Sequence, residues 1–266
     1  MREVKSKKNN PFKNFFIKIC RFFGLELIDQ SNFSIPTSNK SMNDTLSVPG
    51  EKSITLPMGK INITRPVKSL NIILRTCMSV NMLTQSKKRI FEKDKEEYTK
   101  RTLISLINSV HYAKDFFKNV KFKVHIIDHN SSKNQINDIK IILDKSNLNF
   151  EILNLKFEEY SNLIEKINEE EKEVTNNQKS NMSNIHQSLI LSKEACEDLT
   201  YFVEDDYIHE KNSLAEMLFA YEKIASLTKK ELIICPTDYP FLYNQNESTK
   251  IFLGDKKHWR QIDQTL

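Results

Sequence analysis

Glycine is scarce in this chain: 266 residues hold four, at Gly24, Gly50, Gly59 and Gly254. With so few, neither a GxGxxG dinucleotide turn nor a Walker phosphate loop can be written, which argues against nicotinamide-type dinucleotide chemistry and P-loop phosphate transfer. A nucleotide can still bind an α/β sheet built differently. Cysteine is equally sparse. Cys20, Cys77, Cys196 and Cys235 lie far apart, with neither metal-ligand spacing nor a disulfide framework, so they are expected to be small buried thiols in a reducing cytoplasm. Long apolar runs are lacking too. The most apolar N-terminal stretch is interrupted by Lys13, Lys18 and Arg21, which excludes a spanning helix there and argues against a signal peptide.

What is present is enough apolar material, 39% of residues, for one sizeable core plus a shorter appendage. The net charge of +5 is modest, but Arg2, Lys5, Lys7, Lys8, Lys13, Lys18 and Arg21 crowd the N-terminus, so an anionic surface is the expected partner. No basic motif or aromatic-rich RNA-binding signature follows, and no nucleic-acid partner is expected. In residues 11–23, Phe12, Phe15, Phe16, Ile19, Phe22 and Phe23 recur every three or four residues, predicting a basic amphipathic helix. Such a helix suits an anionic membrane interface, and docking of the phenylalanines on the rest of the chain is the equal alternative. The expected location is cytoplasmic, peripheral on the inner membrane face.

Residues 1–66 read as this extension and a linker. The part from 30 to 66 is rich in Ser, Asn, Thr and Pro, with strand-like pieces at 53–56 and 60–64. Residues 67–266 read as the catalytic domain. Strand patterns at 70–74, 123–127, 150–155, 199–203 and 232–235 alternate with helical stripes at 102–117, 135–145, 184–197 and 213–227. The charged stretch 158–178 is expected to be a solvated helix or loop. The alternation predicts an α/β fold with a mostly parallel sheet covered on both faces.

One segment carries chemistry. In Tyr201-Phe202-Val203-Glu204-Asp205-Asp206-Tyr207, a strand ends abruptly on three carboxylates. The C-terminal edge of an open α/β sheet is where ligands bind. Adjacent acids resist ionisation unless a cation or hydrogen-bond donors offset them, and a hard divalent metal shared with phosphate oxygens does so. An isolated acidic turn in water is the plainer explanation; the strand context favours a site.

Strand and acids together resemble the GT-A fold of glycosyltransferases, whose DxD-type motif, here in an EDD form, ends a central strand. The resemblance runs over residues 69–259, through element order more than identity. It implies that Asp206 contacts a Mn2+ or Mg2+ ion, while Asp205 and Glu204 reach the ribose and the metal's water ligands. It also implies that Arg75 and Thr76, ending the first strand, meet the nucleotide, and that Asp128, ending the second, binds base or ribose. Taken alone, Arg75 equally suits a surface ion pair and Asp128 a helix or turn cap. Asp238, in Cys235-Pro236-Thr237-Asp238-Tyr239, sits where acceptor-side residues enter the cleft of similar enzymes and can serve as general base of an inverting reaction; a turn before Pro240 also explains it. His258-Trp259-Arg260 suits sugar or diphosphate contact, although a lone Trp is more often core. His186 and Gln187 are weak donor-side candidates, while His125 and His129 read as structural.

The resemblance implies a donor that is a nucleoside-diphosphate sugar and an acceptor that is a glycan or lipid-linked, as in surface polysaccharide or lipopolysaccharide assembly. The family continues past the point where this chain stops, so a fragment or a minimal C-terminal subdomain is expected. Two rivals stand beside it: a metal-dependent nucleotidyltransferase, and a non-catalytic glycan-binding or scaffold protein.

Overall fold

Strand β3 (Ser69–Thr76) is buried on both faces along almost its whole length, as a central parallel strand must be. In the computed structural model, which describes residues 11–23, 34–36, 52–57, 61–79, 93–167, 173–237, 250–254 and 257–261, it sits inside a four-stranded parallel sheet. Its neighbours are β4 (Lys121–Asp128) on one side and β6 (Leu199–Glu204) on the other, with β5 (Asn149–Asn154) beyond β4. The order β5-β4-β3-β6 gives an α/β fold, as the alternating pattern predicts.

Strand alternation sends residues to two different layers. Leu70, Ile72 and Leu74 of β3 join Phe122, Val124 and Ile126 of β4 in the larger core, against helices α2 (Lys95–Phe116), α3 (Lys133–Ser146) and α6 (Ser213–Thr228). Ile73 and Ile127, on the opposite face, pack with Leu155, Tyr160 and the side chains of Ile190 and Leu191 on α5 (Asn176–Ala195). Both α3 and α5 open on capping boxes, Ser132 with Gln135 and Thr175 with Gln178, which satisfy otherwise orphaned backbone donors. Hydrophobic burial of these two faces supplies the main driving force for the unit.

Three segments differ from expectation. Residues 232–235 form no strand: Leu232 and Ile234 pack against the core, but Ile233 is 90% exposed and no ladder forms there among the described residues. An apolar run of four satisfies a strand pattern without supplying a neighbour to bond. Residues 61–64 are likewise not a strand, and the amides of Thr64 and Arg65 instead donate to the Ser226 hydroxyl. The stretch read as solvated at 158–178 contains the end of a short helix, α4 (Phe157–Tyr160), and the start of α5, with Tyr160 and Val174 buried.

The chain divides into two compact units, Ile61–Pro236, which holds the parallel sheet, and Met1–Lys60 with Thr237–Leu266. The second has its own sheet, β1 (Ser34–Pro36), β2 (Lys52–Pro57), β7 (Lys250–Leu253) and β8 (His258–Arg260), in that order. Strands β2 and β7 are parallel and the outer pairs antiparallel, so the C-terminal strands ladder with the stretch read as linker. Trp259 lies opposite Phe252 in this sheet. The helix predicted at 11–23 is present as α1 (Pro11–Phe22). No helix among the described residues is long and apolar enough to cross a membrane.

Candidate functional site

The acidic run sits at the C-terminal edge of the parallel sheet, and its three members diverge. Glu204 is the last residue of β6 and lies level with Arg75 on β3. The two side chains pair at 2.6 Å, and the other arm of the Arg75 guanidinium donates to Asn181 Oδ1 at 2.9 Å. Asp205 turns the other way. It is buried against the first turns of α2, paired with Lys95 Nζ at 2.7 Å and accepting from the Thr99 hydroxyl at 3.1 Å and the Cys77 amide at 3.4 Å. Asp206, half-buried, follows in the turn.

Repulsion within the run is thus relieved by two protein cations, Arg75 for Glu204 and Lys95 for Asp205. Among the described residues no three His, Cys, Asp or Glu side chains converge as a metal cage. Glu204 and Asp206 are the members of the run that reach solvent, and exposed carboxylates are the donor type that a Mg2+- or Mn2+-type ion takes one or two of, completing its shell with substrate phosphate and water. Asp205 does not belong to that set. The expectation that it reaches ribose or metal-bound water is at odds with a carboxylate already occupied by a lysine, a threonine and an amide.

Asp128 is similarly committed. Its Oδ1 accepts from the Thr76 hydroxyl at 2.7 Å and the Ser131 hydroxyl at 2.6 Å, and its Oδ2 from the Ser131 amide at 3.0 Å. The chain then passes through Asn130 at φ 60°, the left-handed region that Asn tolerates best among non-glycine residues. Asp128 and Thr76, both buried, build the β4 exit through these bonds. The turn-forming role left open by the sequence describes Asp128 best. Cys77, next to this network, has its thiol pushed up to about 11 by burial, aided by the carboxylates of Asp128 and Asp205, which favours the protonated form at neutral pH. The cysteines are not the buried thiols expected from their spacing: Cys20, Cys77 and Cys196 are half-buried and Cys235 is exposed.

A cavity of about 680 Å³ opens beside the Asp128 turn, lined by His129, Asn130, Leu155, Phe157, Asn176 and Ser180 among others. Its volume is in the range of small-ligand sites. The His129 ring stacks on Phe157 with centroids 4.9 Å apart and planes 25° apart. Burial holds His129 below its ordinary value, and its Nδ1 shares a hydrogen bond with the Ser180 hydroxyl at 2.5 Å. Sequence reasoning took His129 as structural and missed Phe157, Ser180, Asn181, Lys95 and Thr99. Only their place near strand exits and helix starts could have flagged them.

Polar residues on α2 hold the acidic loop in place. Besides Thr99 to Asp205, the Ser105 hydroxyl accepts from the His209 amide and the Ser109 hydroxyl from the Leu214 amide, each at 3.0 Å. His209 also meets the Tyr201 hydroxyl at 3.0 Å. Gln187 bridges the β5 exit, donating to the Asn154 carbonyl and accepting from the Lys156 amide, and His186 packs on Tyr160. Both are explained by structure alone. Asp238 lies outside the described residues, and His258-Trp259-Arg260 belongs to the other unit.

The fold and this edge define an α/β protein whose four-stranded parallel sheet carries acidic and cationic side chains at one end. No family model, curated protein or solved structure matches the chain.

Proposed function

We propose that the protein is a glycosyltransferase of GT-A type, moving a sugar from a nucleoside-diphosphate donor to a glycan or lipid-linked acceptor. The observation that carries this reading is the acidic end of β6 lying level with the cationic end of β3, at the sheet edge where α/β proteins bind ligands. The cavity lined by His129 and Phe157, two strands away at the same edge, has the stacked ring and amide side chains that suit a nucleobase.

In this reading the Arg75 guanidinium exchanges Glu204 for a diphosphate oxygen, a substitution its planar fork favours. Glu204, so released, and Asp206 would hold the divalent cation together with the substrate. When bound, the metal supplies stabilisation of the negative charge gathering on the departing diphosphate. Asp205 positions the loop from within and Asp128 shapes the nucleotide-side turn, each without touching substrate.

The test is incubation with nucleotide sugars and Mn2+, scoring release of nucleoside diphosphate, alongside the Asp206→Ala and Arg75→Ala variants. We expect diphosphate release that both substitutions lower at least a hundredfold while circular dichroism stays native. Pyrophosphate among the products would assign a nucleotidyltransferase instead. Binding of a glycan with no turnover of any donor would leave a non-catalytic glycan-binding protein.

A further inference from the structure

Helix α1 presents a surface that a water-soluble protein has reason to hide. Phe15, Phe16, Phe22 and Phe23 are 63%, 55%, 86% and 70% exposed, with Ile19 at 39% between them. At 100° per residue these five positions occupy an arc of about 120°. The rings of Phe22 and Phe23 meet edge to face at 5.4 Å, so the end of the patch is a preformed aromatic pair. The four phenylalanines show roughly 500 Å² of ring surface, at the upper end of what a monomer leaves in its largest apolar patch.

Charge identifies the occupant. From Val4 to Leu25 the chain has no Asp or Glu but carries Lys5, Lys7, Lys8, Lys13, Lys18 and Arg21. Positions 13 and 18 border the apolar arc on its two sides, and Lys18 is exposed. An apolar stripe between basic margins is complementary to a layer with acyl chains below and anionic headgroups at the rim. Long lysine stems can reach such headgroups while the rings sink beneath them. A second protein surface would have to match both an aromatic ridge and two cationic borders. The helix is too short and too charged to span the bilayer, so it lies in the interface plane.

We propose that α1 docks this protein on anionic lipid bilayers, with Phe15, Phe16, Ile19, Phe22 and Phe23 inserted and the lysines at positions 13 and 18 at the headgroups. This proposal does not depend on sugar transfer. Apolar insertion supplies a term insensitive to salt, whereas the basic residues supply one that weakens as salt screens it.

The test is co-sedimentation of the full chain with vesicles of phosphatidylcholine alone or with a third phosphatidylglycerol, in low and high salt. We expect binding to the anionic vesicles at least tenfold tighter than to the neutral ones, and weaker in high salt. Phe16→Ser with Phe22→Ser should abolish it. Lys13→Gln with Lys18→Gln should weaken it roughly 25-fold, at about fivefold per charge. Circular dichroism and thermal unfolding of both variants should match the parent. Equal binding to neutral vesicles, or none to either, overturns the proposal. So does a dimer in solution that the phenylalanine variant dissolves, which would make a second copy the occupant. A drop in thermal stability of both variants would place the helix in the protein's own core and overturn it as well.

Discussion

Asp205 and Asp206 are neighbours in the chain and opposites in environment. Asp205 is buried with Lys95, Thr99 and the Cys77 amide, whereas Asp206 stands half-buried in the turn. Removing the first carboxylate strands a partly buried ammonium and a buried hydroxyl; removing the second disturbs little packing. Asp205→Ala should therefore cost about 3 kcal/mol of unfolding free energy, and Asp206→Ala less than about 1 kcal/mol. Urea titrations of the two variants check this, and equal midpoints would show that the Lys95 pair contributes nothing. In sequence the pair is indistinguishable. The acidic end of the strand was legible there, but the division of labour within it was not, because Lys95 and Thr99 reach Asp205 from more than a hundred residues away.

At the scale of elements, α2 does more than cover the sheet. Its periodic apolar residues, Leu103, Leu106, Ile107 and Val110, were readable as a core stripe from spacing alone. The polar residues beside them, Thr99, Ser105 and Ser109, hold the loop that carries the acids, and nothing in the helix's own sequence says so. Ser109→Ala leaves the Leu214 amide buried without its acceptor and should cost about 2 kcal/mol. Helix α6 offers the opposite sign. Lys229 ends it at φ 55°, a conformation glycine adopts without steric penalty, so Lys229→Gly should stabilise by up to about 1 kcal/mol. Thermal denaturation of both variants decides the matter; a stabilised Ser109→Ala or a destabilised Lys229→Gly would contradict it. The apolar run at 232–235 teaches the converse lesson, since a strand pattern without a strand to pair with is only an extended segment.

For the Ile61–Pro236 unit as a whole, the titrating groups predict a two-stage loss of stability in acid. Burial holds His125, His129 and His209 below their ordinary 6.5, so the unfolded chain takes up protons that the folded one refuses once pH falls below about that value. Stability should decline as pH drops from there toward their folded values. A second decline belongs to carboxylates. Glu96, held low by Lys100, and Glu151, held low by Lys123, contribute stability above their ordinary 4.5 that disappears as pH falls through their folded values. Asp198 adds to it: burial opposes its ionisation, but the hydrogen bond from Arg65 and the Lys68 amide outweigh that and hold it low. Glu222, raised by burial, works in the opposite sense, adding stability as pH falls from its folded value toward 4.5, between the two stages. Urea midpoints from pH 8 to pH 3 test this, and a flat profile between pH 7 and 5 would remove the histidine stage.

The sequence by itself determined the α/β class, the order of the four parallel strands and the helices α2, α3, α5 and α6 between and after them, the acidic end of β6 and the helix at the N-terminus, because each is a local matter of periodicity or adjacency. Only the tertiary structure decided which strands are neighbours, so that Arg75 on β3 lies level with Glu204 on β6 while 232–235 joins no ladder among the described strands. It also decided that Asp128 closes a turn, that Asp205 faces α2, and that strands near the C-terminus join those at 34–57 in a separate sheet. Those outcomes depend on hydrogen bonds and ion pairs between residues distant in the chain, which form only once apolar burial has brought the elements together, and no local pattern encodes them.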